Sequence, residues 1–269
     1  MDVFYRHLPK MTVSENYGDE MYNFNLKQRL KLAGIHAFIS IVLLLIALYF
    51  IVIVWYPSPL EIAVGVGTVY FTLLVVDLIL GPLLTLVVYK EDKRKLRFDL
   101  AVILAIQLIA YFFGLYTIAQ GRPVWQVFVI DDVELISPSN LKKTSDYEMK
   151  SEFAPSIFKQ PQWVAAVYSD NPKKKQQQKE DEMFKGINIS QRPETYKNIT
   201  MKKTAIVSKL KGLEELKQFN VSDEKLNQKL EKYPEAAGWL PIKAPKQDVV
   251  AIFDQNGKPL GSVDLRPWD

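Results

Sequence analysis

The sequence predicts a membrane protein: three transmembrane α-helices followed by a soluble α+β domain outside the cytoplasm. Three observations carry that reading. Stretches 32–55, 62–88 and 100–119 hold a single charged residue between them, Asp77, and 57 of their 71 positions are apolar. Lys and Arg gather at alternate ends of those stretches. The remaining chain, 122–269, carries the strand alternation and helix caps of a globular domain.

Residues 1–31 show little apolar periodicity and read as a flexible cytoplasmic tail. Met11 and Met21 stand as alternative translation starts to Met1. Each apolar stretch is long enough to cross about 30 Å of hydrocarbon at about 1.5 Å per residue. The first is too long, and too far into the chain, for a cleaved signal peptide, so it is expected to serve as an uncleaved anchor.

Flanking charge sets the expected orientation. Lys27, Arg29 and Lys31 precede the first stretch, and Lys90, Lys93, Arg94, Lys95 and Arg97 separate the second from the third. Loop 56–61 has no basic residue. Basic loops stay inside, which places the N-terminus in the cytoplasm and everything after residue 119 in the periplasm. Trp55, Tyr56 and Trp125 suit the outer interface and Tyr89 the inner one. The basic inner loop also suits contact with anionic lipid head groups.

Polar groups within the spans are the candidate site: Asp77, Gln107, Gly81, Pro82 and His36. A carboxylate at mid-membrane is costly unless protonated or paired. Counting residues places Gln107 at a similar depth to Asp77, and His36 near the depth of Thr85. These groups could glue a helix bundle, dock a partner helix or relay a proton. Gly81-Pro82 predicts a kink, because Pro82 cannot donate to the carbonyl of Leu78. An ion-coupled transporter centred on Asp77 is the alternative function.

In 122–269, residues 124–130 alternate as a strand, 133–136 form a short second one and 163–168 a third. Asn171-Pro172 opens and Gly186 closes a solvated helix over 172–185. Residues 202–219 read as a helix with a break at Gly212, and Ser222 caps another that runs to Tyr233. Asn256-Gly257 turns a C-terminal hairpin.

Composition excludes several functions. Without Cys there is no disulfide, Cys-bound zinc, iron–sulfur cluster or thiol catalysis, and a total of two His argues against a multi-histidine metal site. A net charge of +4 does not call for nucleic acid. No nucleotide fingerprint, P-loop, GxSxG or metal-spaced cluster occurs, so no catalytic residue, cofactor or metal is expected.

Six segments together resemble one family. WYPSPL at 55–60, VDLILGPLLTLVVYK at 76–90, LRFDLAVILAIQL at 96–108, GLYTIAQGRPVWQVF at 114–128, WLPIK at 239–243 and VDLRPW at 263–268 are similar, in that order, to the TfpX/TfpZ type IV pilin accessory proteins. The shared positions include Trp55, Pro57, Asp77, Gly81, Pro82, Lys90, Asp99, Gln107, Arg122, Pro123, Trp125, Arg266, Pro267 and Trp268. The resemblance implies a bacterial inner-membrane protein without catalytic residues. It also implies action on the type IV pilin subunit, whose apolar N-terminal helix waits in the membrane, with other pilus assembly proteins as further partners.

Overall fold

The structure, a computed structural model, describes residues 13–75, 79–88, 96–142, 147–220 and 222–268. It divides into two compact units: one of residues 1–45 and 72–113, the other of 46–71 and 114–269.

The first unit is helical. It holds most of α1 (Val13–Tyr49), then α4 (Gly81–Val88) and most of α5 (Leu96–Gly121). Two helical segments are long and apolar enough to cross a membrane, Leu26–Trp55 and Phe98–Gly121. Their large side chains face outward uncovered by protein, among them Phe38, Leu45, Ile106, Ile109 and Phe113. A soluble core helix would bury such residues; these suit lipid contact.

The expected third span, 62–88, is not supported among the described residues. The described residues of this region form α2 (Leu60–Val64), α3 (Gly67–Val75) and α4, none of which by itself is long enough to cross a bilayer. Two physical causes are visible. Gly65 ends α2 in the left-handed region at φ +78°, with the Lys246 side chain packed where its Cβ would stand. And the start of the stretch belongs to the soluble core: Ala63, like Leu60 just ahead of the stretch, is buried in it, and Ala63 O accepts from Lys246 N at 3.0 Å and Gln247 N at 3.1 Å. Hydropathy alone cannot tell burial in protein from burial in lipid.

The second unit is built on a seven-stranded mixed sheet. Its strands are β1 (Trp125–Val129), β2 (Asp132–Ile136), β3 (Gln162–Ala166), β4 (Tyr196–Asn198), β5 (Gly238–Lys243), β6 (Val249–Phe253) and β7 (Pro259–Val263), in the order β4-β3-β1-β2-β5-β6-β7. The β1–β2, β3–β4, β5–β6 and β6–β7 pairs are antiparallel; β1–β3 and β2–β5 are parallel. Side chains alternate between two covered faces. Leu240, Ile242, Val249, Ala251 and Phe253 join Leu60 of α2 and Ile206 of α7 (Lys203–Val207). Trp239, Val250, Ile252 and Val263 join Leu226 of α8 (Asp223–Leu230).

Local signals place α6 at Pro172–Lys185, where Asn171 Oδ1 accepts from Lys173 N at 3.0 Å and Gly186 closes the helix. The expected helix over 202–219 is instead the short α7 and a 3₁₀ segment, Leu213–Gln218. Between them Lys211 exchanges two 3.0 Å backbone hydrogen bonds with Trp239, and the Trp239 indole donates to Gly212 O at 2.9 Å. Pairing with β5 outweighs helix continuation there. The helix expected to reach Tyr233 ends at Leu230.

Candidate functional site

Within the helical unit, α1 and α5 line a groove of about 210 Å³. Its walls recur at helical spacing: Leu32, Ile35 and Ile39 on α1, Leu100, Leu104 and Leu108 on α5. Its polar groups are few. His36 Nδ1 and Thr85 Oγ1 of α4 share a hydrogen bond at 2.7 Å. Tyr111 Oη donates to Leu43 O at 2.9 Å.

Gly81 is what lets α4 approach so closely. A Cβ at that position would strike the Gln107 amide and stand 3.0 Å from His36 Nε2. Gly81, His36, Thr85 and Gln107 therefore converge on one spot. Pro82 is the second residue of α4 and directly follows residues 79–80, which are helical as well; the Leu78 carbonyl that it was expected to leave without a donor lies outside the described residues. Gln107 Oε1 is buried beside the His36 imidazole, and among the described residues no donor reaches it with good geometry. A buried acceptor of this kind is costly in hydrocarbon, where no water can satisfy it. Chemically the described groove offers apolar walls and a polar spot made by His36, Thr85 and the Gln107 amide. Asp77 and Lys90 lie outside the described residues, as does the expected Asp77–Gln107 pair. Asp99 stands in the first turn of α5, where the helix dipole favours an acid.

Trp55, Tyr56, Pro57, Arg122, Pro123 and Trp125 gather in the other unit, where the long helices end. The last carbonyls of a helix lack intrahelical donors. Tyr56 Oη donates to Ile118 O at 2.8 Å, and the Arg122 guanidinium donates to Ala119 O. Both carbonyls belong to the last turn of α5, where a cation also complements the dipole. Arg122 lies over the Trp55 ring, 5.7 Å from its centroid. Burial pulls the Arg122 pKa below its ordinary value and pushes the Tyr56 phenol well above its own, each partly offset by the other. Gln160 Nε2 satisfies Ile53 O at 3.0 Å, the Trp55 indole donates to Ile157 O at 2.8 Å, and the Trp125 indole to Phe153 O at 2.9 Å. These residues join apolar helix ends to the sheet.

The C-terminal motif forms a separate clasp. Arg266 binds the Asp264 carboxylate and Asp248 O, and the Trp268 indole donates to Asp248 Oδ2 at 3.0 Å. Pro267 lies between them in sequence. The candidate residues thus occupy groove, joint and clasp. Tyr111 and the pairing role of Tyr56 escaped the sequence reading; Tyr56 is a phenol just past the end of one apolar run and Tyr111 a phenol inside another, a weak signal for a side chain that donates to a helix carbonyl.

Comparison with known proteins gives consistent matches. The family model described as "Fimbrial assembly protein FimB" matches residues 24–65, which run along α1 and through the joint to α2. The chain is 33% identical over 113 residues to the fimbrial assembly protein of serogroups C1 and C2 of Dichelobacter nodosus, covering 41% of this chain and 86% of that protein. It is 30% identical over 165 residues to the serogroup E1 protein of the same organism, covering 61% of this chain and 64% of that one. The serogroup I protein matches at 28% identity, again over 64% of its length. The chain therefore spans somewhat under two thirds of these last two relatives. No solved structure matches.

Proposed function

The chain belongs to the fimbrial assembly protein family, and from that premise we propose that it is a membrane-anchored accessory factor of type IV pilus biogenesis, of the TfpX/TfpZ kind. In this reading it holds pilin subunits before they polymerise and performs no catalysis. The N-terminus faces the cytoplasm and the sheet domain the periplasm of the inner membrane. Lys27, Arg29 and Lys31 ahead of the first apolar segment support that orientation.

The observation that carries the mechanism is the apolar groove with the buried Gln107 amide at its polar spot. Lipid tails are as apolar as Leu, so apolar walls alone give a partner helix little reason to leave lipid. A hydrogen bond across helices supplies that reason, worth about 0.5–2 kcal/mol. A second weak contact, from the sheet domain to the pilin head, would act at high effective concentration because both sites lie on one chain. Apolar partner helix, single donor and tethered second contact together describe a holding site that releases easily.

Deleting the gene and measuring surface pili and pilin abundance tests the function; normal levels of both contradict it. Gln107→Leu tests the groove. It is expected to lower piliation with the protein still present at its usual level, and unchanged piliation would remove Gln107 from the mechanism. Asp77→Asn with intact piliation would make Asp77 a structural residue.

A further inference from the structure

Loop 154–160, Ala-Pro-Ser-Ile-Phe-Lys-Gln, belongs to the sheet domain and leads into β3, yet it is fastened to the end of the first apolar segment. Three contacts hold it there. The Trp55 indole donates to Ile157 O at 2.8 Å, Gln160 Nε2 donates to Ile53 O at 3.0 Å, and the Phe158 and Phe50 rings meet edge to face with centroids 6.0 Å apart. Despite these ties its two largest apolar side chains point outward: Phe158 is 72% exposed and Ile157 47%. Lys159 beside them is exposed as well.

The partner follows from where Phe50 lies. Tryptophans sit at the boundary between hydrocarbon and head groups, and Trp55 closes the apolar segment Leu26–Trp55. Phe50 lies five residues and about one turn deeper, at the other end of the π-helical segment Phe50–Trp55. A ring packed on Phe50 and open on its other side is at the level of acyl chains. Two of the loop's carbonyls are satisfied within the protein: Ile157 O accepts from Trp55, and Ser156 O from Lys159 N at 3.4 Å. Lys159 has the flexible stem needed to bring its ammonium back to the phosphates.

We propose that loop 154–160 is a membrane wedge: Ile157 and Phe158 sit among lipid acyl chains in the leaflet from which the sheet domain emerges, and Lys159 contacts lipid phosphate. This rests on membrane anchoring through Leu26–Trp55 and goes beyond it. The sheet domain then has a fixed tilt at the bilayer surface, with its orientation set by lipid as well as by the helix joint.

The absence of Cys makes the test direct, because any introduced thiol is unique. Full-length Phe158→Cys, Ile157→Cys, Phe38→Cys and Met183→Cys chains are spin-labelled and placed in phosphatidylethanolamine–phosphatidylglycerol vesicles. Relaxation by oxygen, which concentrates in lipid, is compared with relaxation by a water-soluble nickel chelate. All four positions are exposed, so labelling leaves the core intact. The wedge predicts that labels at 157 and 158 favour oxygen over nickel several-fold, as Phe38→Cys does, whereas Met183→Cys favours nickel. Labels at 157 and 158 that behave like 183 overturn the wedge, with anchoring intact if 38 still reads lipid. Shielding from both probes overturns it too, because the loop would then be covered by protein. If 38 itself reads water, the anchoring premise has failed.

Discussion

Leu60→Ala probes the assignment of residues 60–66 to the soluble core. Leu60 is 2% exposed and lies in the cluster that includes Phe128, Ile242 and Val249. Truncating a fully buried leucine costs about 2–5 kcal/mol, the transfer term plus the cavity left behind. Surrounding strands pinned by ladders on both sides relax little, which favours the middle of that range, about 3 kcal/mol. For a domain of this size each kcal/mol lowers the melting temperature by about 2–4 °C, so the sheet domain should melt about 6–12 °C lower. Near-UV circular dichroism of the full-length protein in detergent reads this through the buried Trp125 and Trp239. Ile62→Ala, two residues on and 41% exposed, is the control and should shift the midpoint by only a degree or two. Equal melting of Leu60→Ala and wild type, or a larger loss from Ile62→Ala, would refute the placement of α2 in the core.

Other predictions follow from the joint, the ion pairs and the groove. Tyr56→Phe removes the 2.8 Å bond to Ile118 O and strands a buried carbonyl at the end of α5, and should cost about 1–3 kcal/mol in chemical denaturation, with unchanged stability counting against the capping role. Asp181 is held below its ordinary pKa of 3.8 by hydrogen bonds from Lys185 and Arg192. A lowered carboxylate contributes stability that is present above pH 3.8 and lost as pH falls through its folded value, so Asp181→Asn should flatten the acid limb of the stability–pH curve; an unaltered limb would exclude it as a source. Gly81→Val drives a side chain into Gln107 and His36, and should lower piliation while the sheet domain's melting stays put; normal piliation would show that α4 need not lie so close.

Much of the sheet domain was legible because its signals are local. Asn171, Pro172 and Gly186 bracket α6 within one short segment, and Asn256-Gly257 marks the last hairpin, where Gly257 takes φ +72°. Strand β5 was not legible as a strand. Pro241 argues against a central position, and it is tolerated because β2 pairs only with Ile242 and Lys243, leaving the Pro241 nitrogen outside that ladder. The 202–219 region misled for the opposite reason: helix-favouring composition yields to the Lys211–Trp239 pairing, a contact distant in sequence. The second apolar stretch misled at its start because Ala63 is as apolar in a protein core as in a bilayer. In the groove, residue counting put His36 level with Thr85, and the two share a 2.7 Å hydrogen bond; that Gly81 stands against Gln107 required the packing of α4, which no linear pattern encodes.

The central claim is that the α1–α5 groove holds a pilin helix, and in-cell photocrosslinking tests it most directly. A photoreactive residue at Ile35, on the groove wall, is compared with one at Phe113, which is exposed and does not line the groove. The account predicts a covalent adduct containing pilin from position 35, little from 113, and loss of the adduct when Gln107→Leu is added. Pilin captured equally from both positions, or from neither in cells whose piliation depends on this protein, would contradict it.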